Sequence, residues 1–180
     1  PPELAEHWDN PGLLVDCGGD VRRVLVTLDI TPEVVAEAAA KQCTVIVAHH
    51  PVIFDPLKRL CPADVPYQLV RAGISAICMH TNLDAAEGGV NDVLADLFGI
   101  RQRTVFADGC GRVGDVDPIT VPELAALAQH KLAALCNVPD TGTAVQVKFA
   151  DTGKPVHRLA VISGAGGSLF AEAIAEGADC

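Results

Sequence analysis

Apolar residues recur along the chain in short runs, each followed by a polar stretch of helical character. Residues 21–29 (VRRVLVTLD) read as a strand. Thr31 then caps a helix with Pro32 at its first position, Glu33 in its first turn and Val34, Val35, Ala38 and Ala39 as its apolar stripe. Residues 44–48 form the second strand, and a loop rich in Pro, Lys and Arg covers 51–66. A short helix over 67–72 ends at Gly73, residues 74–79 make the third strand, and a helix over 90–98 closes on Gly99. This β-α-β-α-β-α order with short links predicts an α/β protein with a largely parallel sheet flanked by helices.

The second half reads differently. Residues 109–115 form a glycine-punctuated loop, and Thr120-Val121-Pro122-Glu123 is a capping box opening a helix to about residue 135. Strands are expected over 144–150 and 157–163, joined through the turn Asp151-Thr152-Gly153. The expected division is a first α/β lobe over 1–100 and a second over 101–180. The lobes are related: residues 25–38 can be laid on 160–173, each a strand, a tight turn and an amphipathic helix. After the first copy comes the strand ending in His49-His50. The repeat therefore predicts a matching strand, with a further metal ligand, beyond Cys180, so that the second lobe is incomplete as given.

Composition narrows the function. A net charge of -10 disfavours direct nucleic-acid binding, which needs clustered Lys and Arg. No apolar run approaches the roughly 20 residues that span a bilayer. The chain opens on Pro1-Pro2 with no signal peptide in view, so further residues are expected ahead of it. Seven scattered cysteines with no C-x-x-C pair fit reduced thiols in a cytoplasmic protein better than a zinc–thiolate site.

The candidate chemistry lies at the strand ends, where ligands bind in parallel sheets. Val45-Ile46-Val47-Ala48 delivers His49-His50-Pro51, and the third strand delivers His80-Thr81-Asn82-Leu83-Asp84. Successive side chains of a strand point to opposite faces, but past its end a twist lets both histidines reach one cleft. Taken alone, the pair reads more simply as one core and one exposed histidine. His80 and Asp84, expected in a loop beside it, complete an imidazole–carboxylate set suited to zinc, iron, manganese or nickel. Two alternatives stand: His80 orients Asp84 or substrate without touching metal, and Asp84 is an ordinary loop carboxylate or helix cap. Trp8-Asp9-Asn10-Pro11-Gly12 reads as an anchor ahead of a turn, although Asp9 or Asn10 could line the site. Residues 163–168 (SGAGGS) could cradle an anion or simply join tightly packed elements.

These motifs resemble those of the GTP cyclohydrolase 1 type 2-like (Nif-three-like) family. The match runs through Trp8-Asp9-Asn10 with Gly12, Ala48-His49-His50-Pro51-Val52-Ile53-Phe54, Pro56-Leu57-Lys58 and His80-Thr81-Asn82-Leu83-Asp84. It continues through Gly88-Gly89-Val90-Asn91-Asp92, Gly111-Arg112 with Gly114, and Ser163-Gly164 with Gly166-Gly167. The resemblance implies two related lobes, a homohexamer and a pair of divalent ions held by His49, His50 and Asp84, with His80 close by. It also implies a C-terminal His and Glu ligand, which have no counterpart here. The function it implies is a metal-dependent hydrolase acting on a nucleotide or phosphoester through a metal-bridging hydroxide, with His80 as proton shuttle. The competing reading is a non-enzymatic metal-binding scaffold or transcription-related interaction protein.

Overall fold

The computed structural model describes residues 1–136 and 145–180. Contacts within the chain group it into two units, Pro1–Ala86 and Glu87–Cys180.

The first unit is built on a four-stranded sheet in the order β1-β4-β3-β2, with β1 at Gly12–Val15, β2 at Val24–Thr27, β3 at Val45–Ala48 and β4 at Ser75–Cys78. Strands β2, β3 and β4 run parallel, with Ala48 opposite both Thr27 and Cys78. The edge strand β1, which the hydrophobic pattern did not mark, pairs antiparallel with β4. Helix α1 (Pro32–Ala40) opens as expected, Thr31 Oγ1 accepting from the Val34 amide at 3.3 Å. Helix α2 (Val65–Ala72) ends on Gly73 at φ 66°, a left-handed position that glycine takes without strain. Ile46 and Ala76 from the strands, Val35 and Ala38 from α1 and Leu69 from α2 are buried in one cluster. The short helix α3 (Thr81–Ala85) follows β4 directly, so the segment expected to be a loop is helical.

The second unit comprises α4 (Val90–Leu97), β5 (Arg101–Phe106), β6 (Gly111–Ile119), α5 (Val121–Leu135), β7 (Val156–Val161) and α6 (Phe170–Ala175). Helix α4 belongs to this unit, and Ala95 on it is buried with Leu124, Val156 and Leu159. The α/β class is as expected, but the sheet β5-β6-β7 is antiparallel throughout, so parallel pairing among the described residues is confined to the first unit. Strand β6 occupies the segment read as a glycine-punctuated loop. A Cβ on Gly114 would lie 2.3 Å from the Arg101 carbonyl, and one on Gly111 would lie 2.2 Å from the Phe106 ring. These glycines admit close neighbours within a strand rather than break one. The capping box is present, Thr120 and Glu123 each binding the other's backbone amide. Residues 145–150 form no strand; most are exposed, leaving no buried face to pair on, and Ala144 lies outside the described residues.

The internal repeat holds at the level of individual hydrogen bonds. Lys41 N donates to Glu37 O and Cys43 N to Ala38 O, just as Glu176 N donates to Glu172 O and Ala178 N to Ala173 O. The Arg23 guanidinium donates to Lys41 O, and Arg158 donates to Glu176 O at the matching place. Thr44 N donates to Arg23 O at 2.9 Å and Asp179 N to Arg158 O at 2.8 Å. Each copy thus ends its helix, turns back and begins pairing with its own strand through the same bonds.

Arg112, buried on β6, donates to Asp92 Oδ1 at 2.5 Å and to the Gly109 carbonyl. Its hydrogen bond holds the Asp92 carboxyl below the usual carboxylate range against the opposing effect of burial, helped by the Gly88 amide. A carboxylate with a lowered folded-state pKa contributes stability that is fully present above its unfolded value of about 4 and is lost as pH falls through the lower folded value. Asp92→Asn is expected to cost roughly 1–3 kcal/mol at pH 7. Urea denaturation should show the wild type losing stability more steeply below pH about 4 than the variant; parallel pH profiles would contradict this assignment.

Candidate metal centre

The site forms where β3 and β4 end side by side. The ladder continues one step past the strands, His49 N donating to Thr27 O and Met79 N to Ala48 O. The chain then bends at His49 and His50, leaving strand geometry. That bend cancels the strict alternation of a strand, and both imidazoles turn to one side, their ring centroids 5.1 Å apart. His80 arrives from the end of β4, with its ring 5.2 Å from His49 and 5.7 Å from His50. One ring nitrogen from each of the three histidines lies within 4.8 Å of the others, a group able to hold a metal ion.

Each histidine is oriented through its Nδ1. His49 Nδ1 lies 2.9 Å from the Met79 carbonyl, His50 Nδ1 2.7 Å from Asp29 Oδ1 and His80 Nδ1 2.8 Å from Asp9 Oδ1. A carbonyl or a carboxylate can only accept, so Nδ1 carries the proton in each ring. The three Nε2 lone pairs are therefore left for a ligand, the arrangement by which metal-binding histidines are fixed. This donor set fits a divalent cation of the zinc, iron, manganese or nickel class. Asp84, on α3, places Oδ1 3.9 Å from His49 Nε2. All four residues singled out from the sequence thus lie at this strand edge.

The local sequence pattern leaves Asp9 undecided and gives Asp29, just past the end of β2, no partner. Asp9 has a fully buried side chain (0 % exposed) and accepts from His80, from the Asn10 amide at 2.7 Å and from both the amide and hydroxyl of Thr81. Burial pushes the Asp9 carboxyl up, and these hydrogen bonds outweigh it, holding the group below the usual carboxylate range. Asp29, at the end of β2, is exposed and holds the exposed His50. Behind the cluster, burial and then the Asp9 charge push the Cys78 thiol up to about 11, and its neutral S–H donates to the His49 carbonyl. The available sequence signal was Trp8-Asp9-Asn10 itself, a carboxylate wedged between a large ring and a turn.

Together these features define an α/β protein with a histidine cluster able to hold a cation at the carboxyl edge of a parallel sheet. The family model for Duf34/NIF3 (NGG1p interacting factor 3) matches residues 1–180, and the chain belongs to that family. A GTP cyclohydrolase 1 type 2 homolog of Streptococcus pneumoniae is 33% identical over 191 residues, spanning 99% of this chain and 69% of the relative. NGG1-interacting factor 3 of Saccharomyces cerevisiae is 46% identical over 103 residues, spanning 49% of this chain and 36% of the relative. Among solved structures, a hypothetical protein of Staphylococcus aureus superposes with a TM-score of 0.81 at 28% identity, covering 98% of this chain and 72% of that one. Reduced HcgD of Methanocaldococcus jannaschii superposes with a TM-score of 0.75 at 26% identity, covering 99% and 71%. No helix among the described residues is long and apolar enough to cross a membrane.

Because Asp9 fixes His80 without reaching the cluster interior, Asp9→Asn tests the orientation directly. Proton NMR of the metal-free protein should show the hydrogen-bonded His80 Nδ1–H signal downfield in the wild type and lost or moved upfield in the variant, with unchanged secondary structure by circular dichroism. An unchanged His80 signal in the variant would show that His80 needs no such support.

Proposed function

We propose that this protein is a metal-dependent hydrolase acting on a nucleotide or phosphoester. His49, His50 and Asp84 would hold two divalent ions, and His80 would serve as the proton-transfer group. The observation that carries the reading is the convergence of three Nδ1-anchored imidazoles beside the Asp84 carboxylate. The Asp84 carboxylate, 3.9 Å from His49 Nε2, adds an oxygen donor to the imidazole set, and the count of two ions rests on the family resemblance.

When bound, the metal supplies the Lewis acidity that makes water nucleophilic near neutral pH. The chain's own residues do the rest. The Met79 carbonyl and Asp29 hold the His49 and His50 rings with their Nε2 atoms inward. His80, its Nδ1–H on Asp9, presents Nε2 to accept a proton, and the buried carboxylate stabilises the imidazolium that results. The assembly proposed is the homohexamer implied by the family resemblance, in the cytoplasm; all seven cysteines are free thiols, in keeping with a reducing compartment.

Asp84→Ala should lose metal by elemental analysis and cut turnover of nucleotides and phosphoesters at least about 100-fold. His80→Gln should keep most of the metal while lowering kcat about 100- to 10,000-fold. Rates for Asp84→Ala equal to wild type would remove the catalytic role of the site. Equal loss of metal in both variants would make His80 a ligand instead.

A further inference from the structure

Two large aromatic side chains stand exposed beside this polar cluster. Trp8, the only tryptophan in the chain, is 51% exposed, and Phe54 is 49% exposed. Their ring centroids lie 6.0 Å apart with planes tilted by 45°, and the Trp8 ring meets His80 edge-on at 6.1 Å. Neither ring hangs on a loose tether. Asn10 Nδ2 donates to the Ile53 carbonyl at 2.7 Å, joining the two segments that carry them. Asp9, next to Trp8, is the buried carboxylate locked by His80 and Thr81. Ile53, next to Phe54, packs against the core of the first unit.

Leaving such rings half in water forgoes burial that elsewhere in the chain drives folding. A rigid, exposed pair whose inner member abuts a histidine of the metal cluster is suited to one kind of ligand. That ligand carries a flat π-system, which the rings cover, and a polar group, which reaches the histidines. The rings are too close together to sandwich a third between them, so a ligand would stack on their outer faces.

We propose that Trp8 and Phe54 form a ring-stacking subsite of the metal centre, selecting substrates that carry a planar nitrogen heterocycle of the nucleobase class. This deepens the hydrolase reading by choosing the nucleotide over the simple phosphoester, and it rests on that reading only for the chemistry after binding. Base–aromatic stacking depends on the ring face and little on its edge, so the subsite would accept purines generally.

The single tryptophan makes the test direct. Zinc-loaded protein is titrated with guanosine 5′-monophosphate, and separately with ribose 5-phosphate, while Trp8 fluorescence is followed. The nucleotide should quench the emission saturably, and the ring-free sugar phosphate should leave it unchanged. Phe54→Leu, which keeps an apolar side chain at the position, should weaken nucleotide binding about 5- to 100-fold. Absent quenching, or equal quenching by both probes, overturns the subsite. So does a blue-shifted emission that reddens on dilution and ignores the nucleotide, because Trp8 would then be covered by a second copy, together with the exposed Leu57 and Leu60 of the Phe54 loop. Quenching without hydrolysis of any nucleotide would sink the hydrolase reading and leave the subsite standing. Hydrolysis of phosphoesters without quenching would do the reverse.

Discussion

The pairing register of β3 against β4 is the constraint on which the site depends. With Ala48 opposite Cys78, the two strands leave the sheet at the same level, and the next residues of each are histidines or lie within one step of one. Parallel β2, in step with both, brings Asp29 to the same edge. A slip of one residue would turn every side chain of the strand to the other face. The buried set of Ile46, Ala76, Leu69 and Ala38 makes such a slip costly, so the core that folds the first unit also positions the imidazoles.

The second layer of control is the set of acceptors on Nδ1. Desolvating a carboxylate such as Asp9 is expensive, and the hydrogen bonds from His80, Asn10 and Thr81 offset that cost. The arrangement stiffens His80 before any ligand arrives. His50 is held differently, by a carboxylate as exposed as itself. The cluster therefore combines two firmly seated rings with one that solvent and salt can loosen.

Much of the first unit was legible in the sequence because its signals are local. Thr31-Pro32 marks a helix start, Gly73 a helix end, and the run from Val45 to Ala48 a buried strand. His49, His50, His80 and Asp84 came with them, because strand ends in a parallel sheet share an edge. What escaped depends on distant partners. Strand β1 exists because β4 offers it an edge, and its four residues carry no periodicity of their own. Strand β6 contains Gly111, Gly114 and Pro118, which read as loop until the carbonyl of Arg101 and the ring of Phe106 are seen against the two glycines. Asp9 finds His80 across the fold, and no spacing along the chain announces a pair so far apart. The repeat was faint in residue identity because backbone hydrogen bonds, rather than side chains, carry most of it.

The central claim is that this edge of the sheet is a metal centre held by His49, His50 and Asp84. Anomalous diffraction from crystals of metal-replete protein, measured on both sides of the metal absorption edge, tests it most directly. The account predicts one or two anomalous peaks within bonding distance of the His49 and His50 Nε2 atoms and the Asp84 carboxylate. Side chains that point apart around an empty anomalous map, in protein shown to carry metal, would contradict it.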